Sequence, residues 1–195
     1  AERKNILPLL EKFKDTFYLA GGTALAFQIG HRDSVDFDFF TPDPFSTTGL
    51  LERFTGIFAG HNIQKVQEEK DTLTVFTDNS IRVSFFAYPY KLIDKLVEAD
   101  YFRLASIPDI ACMKLSAIVS RAAMKDYVDL YFILLSFELK KLLALAKTKF
   151  PELETSLILK SLVYFEDIEE EDIIYKHGKN IAFSKIKEFL SDKAK

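Results

Sequence analysis

Near residue 105 the apolar pattern of this chain changes period, and the change limits the fold to a mixed architecture in two parts. Before it, short apolar stretches alternate with polar residues at the period of two that a half-buried strand requires. Strands are expected at Phe17–Ala20, Val35–Phe40, Ile63–Glu68, Thr72–Phe76 and Ile81–Phe86, with helices at Ile6–Phe13, Ala24–Ile29 and from Thr47 or Thr48 to Phe58. The separators Glu69-Lys70-Asp71 and Thr77-Asp78-Asn79-Ser80 are turn-rich, so the last three strands should form a meander. After it, apolar residues recur at helical spacing over Pro108–Arg121, Lys125–Leu135, Leu139–Lys149, Pro151–Phe165 and Ser184–Leu190. The expected class is α+β: a small mixed sheet with its helices in residues 1–105, then a helical domain in 106–195.

Bulk properties narrow the function. With 195 residues, 48% of them hydrophobic, the chain can bury a substantial core without disulfides. The single cysteine, Cys112, lies in an apolar helical stretch, where it can form neither an internal disulfide nor a zinc cluster; a buried thiol in a reducing cytoplasm fits. A formal charge of −3 excludes a general basic field, so any contact with nucleic acid must be local. The apolar run Leu130–Phe137, broken by Ser136, is far short of the roughly 20 residues a membrane span needs, and no signal-like stretch opens the sequence.

Chemistry points first to Asp36-Phe37-Asp38. Residues two apart on a strand project from one face with α-carbons about 6.6 Å apart, so the two carboxylates can converge on one magnesium or manganese ion. An alternating solvent face would look the same. Upstream, Gly21-Gly22-Thr23 ends a strand and opens a helix. Backbone N–H groups there, with the Thr23 hydroxyl, would face a phosphate at a positive helix terminus, or Thr23 would simply cap the helix. Arg32 and Ser34 add two further phosphate candidates. Downstream, Lys114, Ala117, Ile118 and Arg121 follow i, i+3, i+4, i+7 spacing, and Asp126 and Asp129 share a face of the next helix. Lys114 could reach a triphosphate and Asp126 an acceptor hydroxyl or metal; structural ion pairing within the helices is the alternative.

Taken together, Gly21-Gly22-Thr23, His31-Arg32-Asp33-Ser34 and Asp36-Phe37-Asp38 resemble the phosphate loop and metal carboxylates of polymerase-beta-like nucleotidyltransferases. With Lys114-Leu115-Ser116-Ala117 through Arg121 and Lys125-Asp126-Tyr127-Val128-Asp129-Leu130, the chain resembles the AbiEii/AbiGii nucleotidyltransferase toxin family over about residues 17 to 135. The resemblance implies transfer of a nucleoside monophosphate from a nucleoside triphosphate to a hydroxyl. Asp36 and Asp38 would hold magnesium, and Gly21, Gly22, Thr23, Arg32 and Ser34 the nucleotide. Lys114 would supply charge and Asp126 would help deprotonate the acceptor, with Asp129 positioning its helix. It also implies an RNA acceptor such as transfer RNA, and a cognate antitoxin.

One position departs from the wider group, where a third carboxylate sits on a later strand. Here that strand reads Ile81-Arg82-Val83-Ser84-Phe85-Phe86, and Ser84 occupies the matching place. Either another acid such as Asp126 completes the site, or one metal binds tightly, or the domain binds nucleotide or protein without turnover. A small-molecule hydroxyl, as in aminoglycoside nucleotidylation, is a further acceptor the same site could use. His31 reads as a partly exposed turn residue, and His61 and His177 lack metal-ligand spacing. The acidic run from Glu166 to Asp172 reads as a solvated loop or helix end.

Overall fold

A computed structural model describes residues 2–78, 80–176 and 178–195; Asn79 of the expected turn and His177 lie outside the described residues. The chain divides into two compact units. The first comprises residues 1–24, 34–91 and 95–105, and the second 25–33, 92–94 and 106–195. The change near residue 105 is thus accompanied by two short excursions of the first half into the second unit.

In the first unit, α1 (Glu2–Leu10) runs into a short 3-10 turn (Glu11–Phe13). The strands are β1 (Tyr18–Ala20), β2 (Phe37–Thr41), β3 (Ile63–Glu69), β4 (Thr72–Thr77), β5 (Ile81–Ala87), β6 (Val97–Glu98) and β7 (Arg103–Leu104). They form a sheet of order β3-β4-β5-β2-β1-β7-β6. The expected meander is present as antiparallel β3-β4-β5, while β2 runs parallel to β5 and antiparallel to β1, which makes the sheet mixed. β6 and β7, each of two residues, carry too little pattern to be read from sequence.

Alternation decides the faces. Phe39 and Phe85 are buried on one side, where Phe85 stands 5.2 Å from Phe13 and 6.1 Å from Phe54 between ring centroids, and Phe54 stacks on Phe58 at 4.1 Å. Phe54 and Phe58 come from α3 (Thr47–Ile57) and its C-cap; its N-cap, Ser46, accepts from the Gly49 N–H. Each such ring contributes about 1.5–3 kcal/mol by burial. The other side carries Asp38 and Ser84, paired across the parallel ladder.

Two expectations near the site are corrected. The helix after β1, α2 (Gly21–Ile29), starts before Thr23, so that residue is not its cap; the Thr23 hydroxyl instead donates to the Asp36 carbonyl and shares a 2.8 Å hydrogen bond with the Ser34 hydroxyl. Strand β2 starts at Phe37, because its ladder with β5 starts at Val83, and Asp36 precedes it.

The second unit is helical: α4 (Ile107–Ser120), α5 (Met124–Leu134), α6 (Leu139–Lys149), α7 (Thr155–Val163) and α8 (Phe183–Lys193). α4 packs on α5, α6 and α7, and α8 on α5 and α7. α7 is shorter than expected because residues after Pro151 turn first, the Leu153 N–H reaching the Phe150 carbonyl. Cys112 is buried on α4, and burial pushes its thiol up to about 12, so it is unreactive at neutral pH. The acidic run forms no helix; Glu171 accepts from the Lys125 N–H at the start of α5. Among the described residues no helix is long and apolar enough to cross a membrane.

Candidate active site

In the first unit the site is built where β1 ends. Gly21 has φ +68°, a conformation that strains any residue with a side chain, and a Cβ added there would stand 3.2 Å from Asp38 Oδ2. Ala20 pairs with Asp38, so the strand ladder itself brings the turn against the carboxylate. The first N–H groups of α2 thus open beside a negative charge, the arrangement in which a helix N-terminus stabilises anions.

Asp36 continues the alternation of β2, one residue before its ladder begins. Its Oδ2 accepts from Arg82 Nη2 at 2.7 Å, and Arg82 stands two residues before Ser84 on β5. Asp36, Asp38, Arg82 and Ser84 therefore share one sheet face. Ser84 is buried, its hydroxyl 3.2 Å from that of Thr74. Thr23, Ser34 and Asp36 are tied by the hydrogen bonds already described, and Asp38 stands against the Gly21 turn, so these candidate residues lie together in the first unit.

Arg82 joins the candidate residues through Asp36, and no motif in the sequence singles it out. Only its position two residues before Ser84 could have marked it. Its guanidinium neutralises Asp36, and its Nε is buried without a hydrogen-bond partner. A cation entering at Asp36 must compete with this ion pair.

The donor set suits magnesium in a limited way. Magnesium takes one or two carboxylates and completes its octahedron with water and phosphate oxygens, which the pair Asp36 and Asp38 matches. Among the described residues no group of three or more His, Cys, Asp or Glu could hold a metal, and the residue that pairs with Asp38 on β5 is Ser84.

In the second unit Arg32, Lys114 and Asp126 gather around Asp129. Lys114 Nζ lies 2.6 Å from Asp126 Oδ1 and 2.6 Å from Asp129 Oδ2. Asp129 also accepts from Arg32 Nε at 2.7 Å and Nη2 at 2.9 Å, and meets His31 Nε2 at 2.7 Å. Arg121 Nε reaches Asp126 Oδ2 at 3.0 Å. Both carboxylates, one turn apart on α5, have fully buried side chains. Burial would discharge Lys114, but Asp129 and Asp126 outweigh it and raise the ammonium above its ordinary value. Burial opposes the charge of Asp129 as well; Lys114, His31 and Arg32 overcome it and hold the carboxyl well below the usual range. For His31 burial wins over Asp129, lowering the imidazole below its ordinary value. His31 is thus wholly buried, where the sequence suggested a partly exposed turn residue.

Comparison with known proteins adds three likenesses and one family. Residues 9–192 match the family described as nucleotidyl transferase AbiEii toxin, type IV TA system. An uncharacterized protein of Aquifex aeolicus (strain VF5) is 40% identical over 188 residues, spanning 90% of this chain and 89% of that one. MenT4, a nucleotidyltransferase toxin from Mycobacterium tuberculosis H37Rv, shares the fold with a TM-score of 0.68 at 15% identity, over 98% of this chain and 81% of that one. JHP933 from Helicobacter pylori does so with a TM-score of 0.61 at 18% identity, over 98% and 88%.

Proposed function

This chain belongs to the nucleotidyl transferase AbiEii toxin family, and we propose that it transfers a nucleoside monophosphate from a nucleoside triphosphate to an RNA hydroxyl. The observation that supports the reading most is the meeting of Asp38 with the left-handed Gly21 at the start of α2: carboxylate and anion-binding turn stand side by side. The family's description as a type IV TA system supports a toxin role with a cognate antitoxin, and the toxin among the proteins that share the fold agrees with it.

In this reading the N–H groups of Gly21 and Gly22 hold the outer phosphates, and Thr23 and Ser34 fix the turn against β2. Asp36 and Asp38 would hold magnesium, which when bound neutralises phosphate charge. Arg82, displaced from Asp36, is placed to meet a phosphate oxygen with its guanidinium. The acceptor oxygen bonds to the α-phosphorus as the bond to the bridging oxygen breaks, and pyrophosphate leaves in line with the attack. The acceptor proton passes to a base or to water. For Lys114 and Asp126, the shared buried ion pair supports a positioning part. Burial of Arg32 against Asp129 supports the same for that residue.

The test is a magnesium-dependent assay with each labelled triphosphate and a mixed RNA pool that includes transfer RNA. Label should enter RNA with the native protein and not with Asp38→Asn. Triphosphate binding without transfer to RNA or to a small-molecule hydroxyl would leave a binding domain, the alternative that Ser84 favours.

A further inference from the structure

The sheet face that carries Asp38 continues into a row of aromatic rings. Phe40, two residues beyond Asp38 on β2, stacks on Tyr18 of β1 at 6.0 Å and on Phe86 of β5 at 5.3 Å between centroids. Tyr88 stands edge-on to Phe40 at 5.4 Å, held there by its N–H on the Thr41 carbonyl, and Tyr90 lies 4.8 Å beyond it. The rings on the opposite face, Phe39 and Phe85, are buried, as core residues should be. In the row Tyr18 is buried, Phe40, Phe86 and Tyr88 are only partly buried, and Tyr90 is 42% exposed and followed by the exposed Lys91.

We propose that this row is a stacking platform for unpaired bases of a single-stranded RNA acceptor. Single-strand sites combine half-exposed aromatic faces with nearby cations, because every base has a π-face and every nucleotide a phosphate. Direction selects the acceptor over the donor. The Gly21 turn lies at the end of the ladder where Ala20 pairs with Asp38, and the rings begin at the other end, where Tyr18 pairs with Phe40. Outer phosphates held at the turn send pyrophosphate out on that side, and an in-line attack must then come from the aromatic side. The spacing suits it too, since Phe40 begins about 6.6 Å from Asp38 along the strand.

The platform presupposes nucleotidyl transfer to RNA, and the test separates the two by reading binding without turnover. Fluorescence anisotropy of a fluorescein-labelled single-stranded RNA of about twelve nucleotides is measured against the native chain and tyrosine variants. Tyr88→Ala and Tyr90→Ala should each weaken binding about fivefold or more, Tyr90→Leu should weaken it as Ala does, and Tyr88→Phe and Tyr90→Phe should stay within about twofold. The same sequence as a duplex should bind less well than the single strand. Magnesium-triphosphate affinity should not change in any of these variants. RNA affinity unmoved by the alanine variants, or fully restored by leucine, would overturn the platform. So would loss of triphosphate affinity, which would assign the rings to the donor base. Tyrosine-dependent RNA binding without any transfer would support the platform while defeating the proposed reaction.

Discussion

Each unit of this protein carries a closely spaced pair of aspartates, and the two pairs have opposite fates. Asp36 and Asp38 come from the edge and body of a strand; Asp36 keeps 30% of its side chain exposed and pairs with the part-exposed Arg82. Asp126 and Asp129 come from a helix and have no exposure at all, with Lys114 clamped between them and Arg32, Arg121 and His31 around them. Position relative to solvent separates the pairs. A part-exposed carboxylate can trade its partner for a ligand at small cost, whereas a buried one cannot lose a partner without stranding a charge in a medium of low dielectric.

If this contrast is right, a change at one pair should act on stability and a change at the other on turnover. Lys114→Met should destabilise the protein by about 3–5 kcal/mol in urea unfolding, because it leaves two buried carboxylates short of a cation. Asp36→Asn should change stability by less than about 1 kcal/mol and yet remove nearly all nucleotidyl transfer, since the amide keeps the shape and loses the charge. If Lys114→Met unfolded at the native midpoint, the buried network would not be the structural element described. Activity untouched by Asp36→Asn would end the proposed mechanism.

Gly21→Ala comes next. Its φ of +68° and the 3.2 Å approach to Asp38 should together cost about 1–3 kcal/mol of stability. The variant should also lose triphosphate affinity in a titration, because relief of the contact moves either the turn or the carboxylate. A substitution at Gly56, where no heavy atom stands within 4 Å of an added Cβ, is the matched control.

Acid should act more gently, and on the buried network of the second unit. Burial lowers the His31 imidazole from its ordinary value of 6.5, so below that pH the unfolded chain takes up a proton that the folded chain refuses. Stability therefore falls as pH drops from about 6.5, and falls further below about 3.8, where the unfolded chain's Asp129 takes up a proton that the folded carboxylate, held low by its partners, refuses. In a Tm series against pH, His31→Gln should remove the upper part of the slope and leave the lower part. The smallest effect is expected at Ser84. Ser84→Ala removes one hydrogen bond with Thr74, worth on the order of 1 kcal/mol, and transfer should fall less than tenfold.

The α+β class, the meander and most of the long helices were legible in the sequence, because each follows from local periodicity. Asp36-Phe37-Asp38 put two carboxylates on one face by alternation, and Asp126 with Asp129 shared a face by the geometry of a helix. The expected helical pairing of Lys114 with Arg121 did not form, because α4 ends at Ser120 and Arg121 is its C-cap in extended backbone. Partner choice was another matter. Arg82 lies 46 residues from Asp36 in sequence, and His31 lies 98 from Asp129; no local pattern encodes either pairing. The Asp109–Lys149 ion pair, fully buried at 2.8 Å, was equally silent. Which aspartates face water and which are sealed with their cations emerged only on packing. Whole faces are buried together when elements meet, and desolvation, which fixes whether a charge can serve a ligand, is a property of the packed surroundings rather than of the residue.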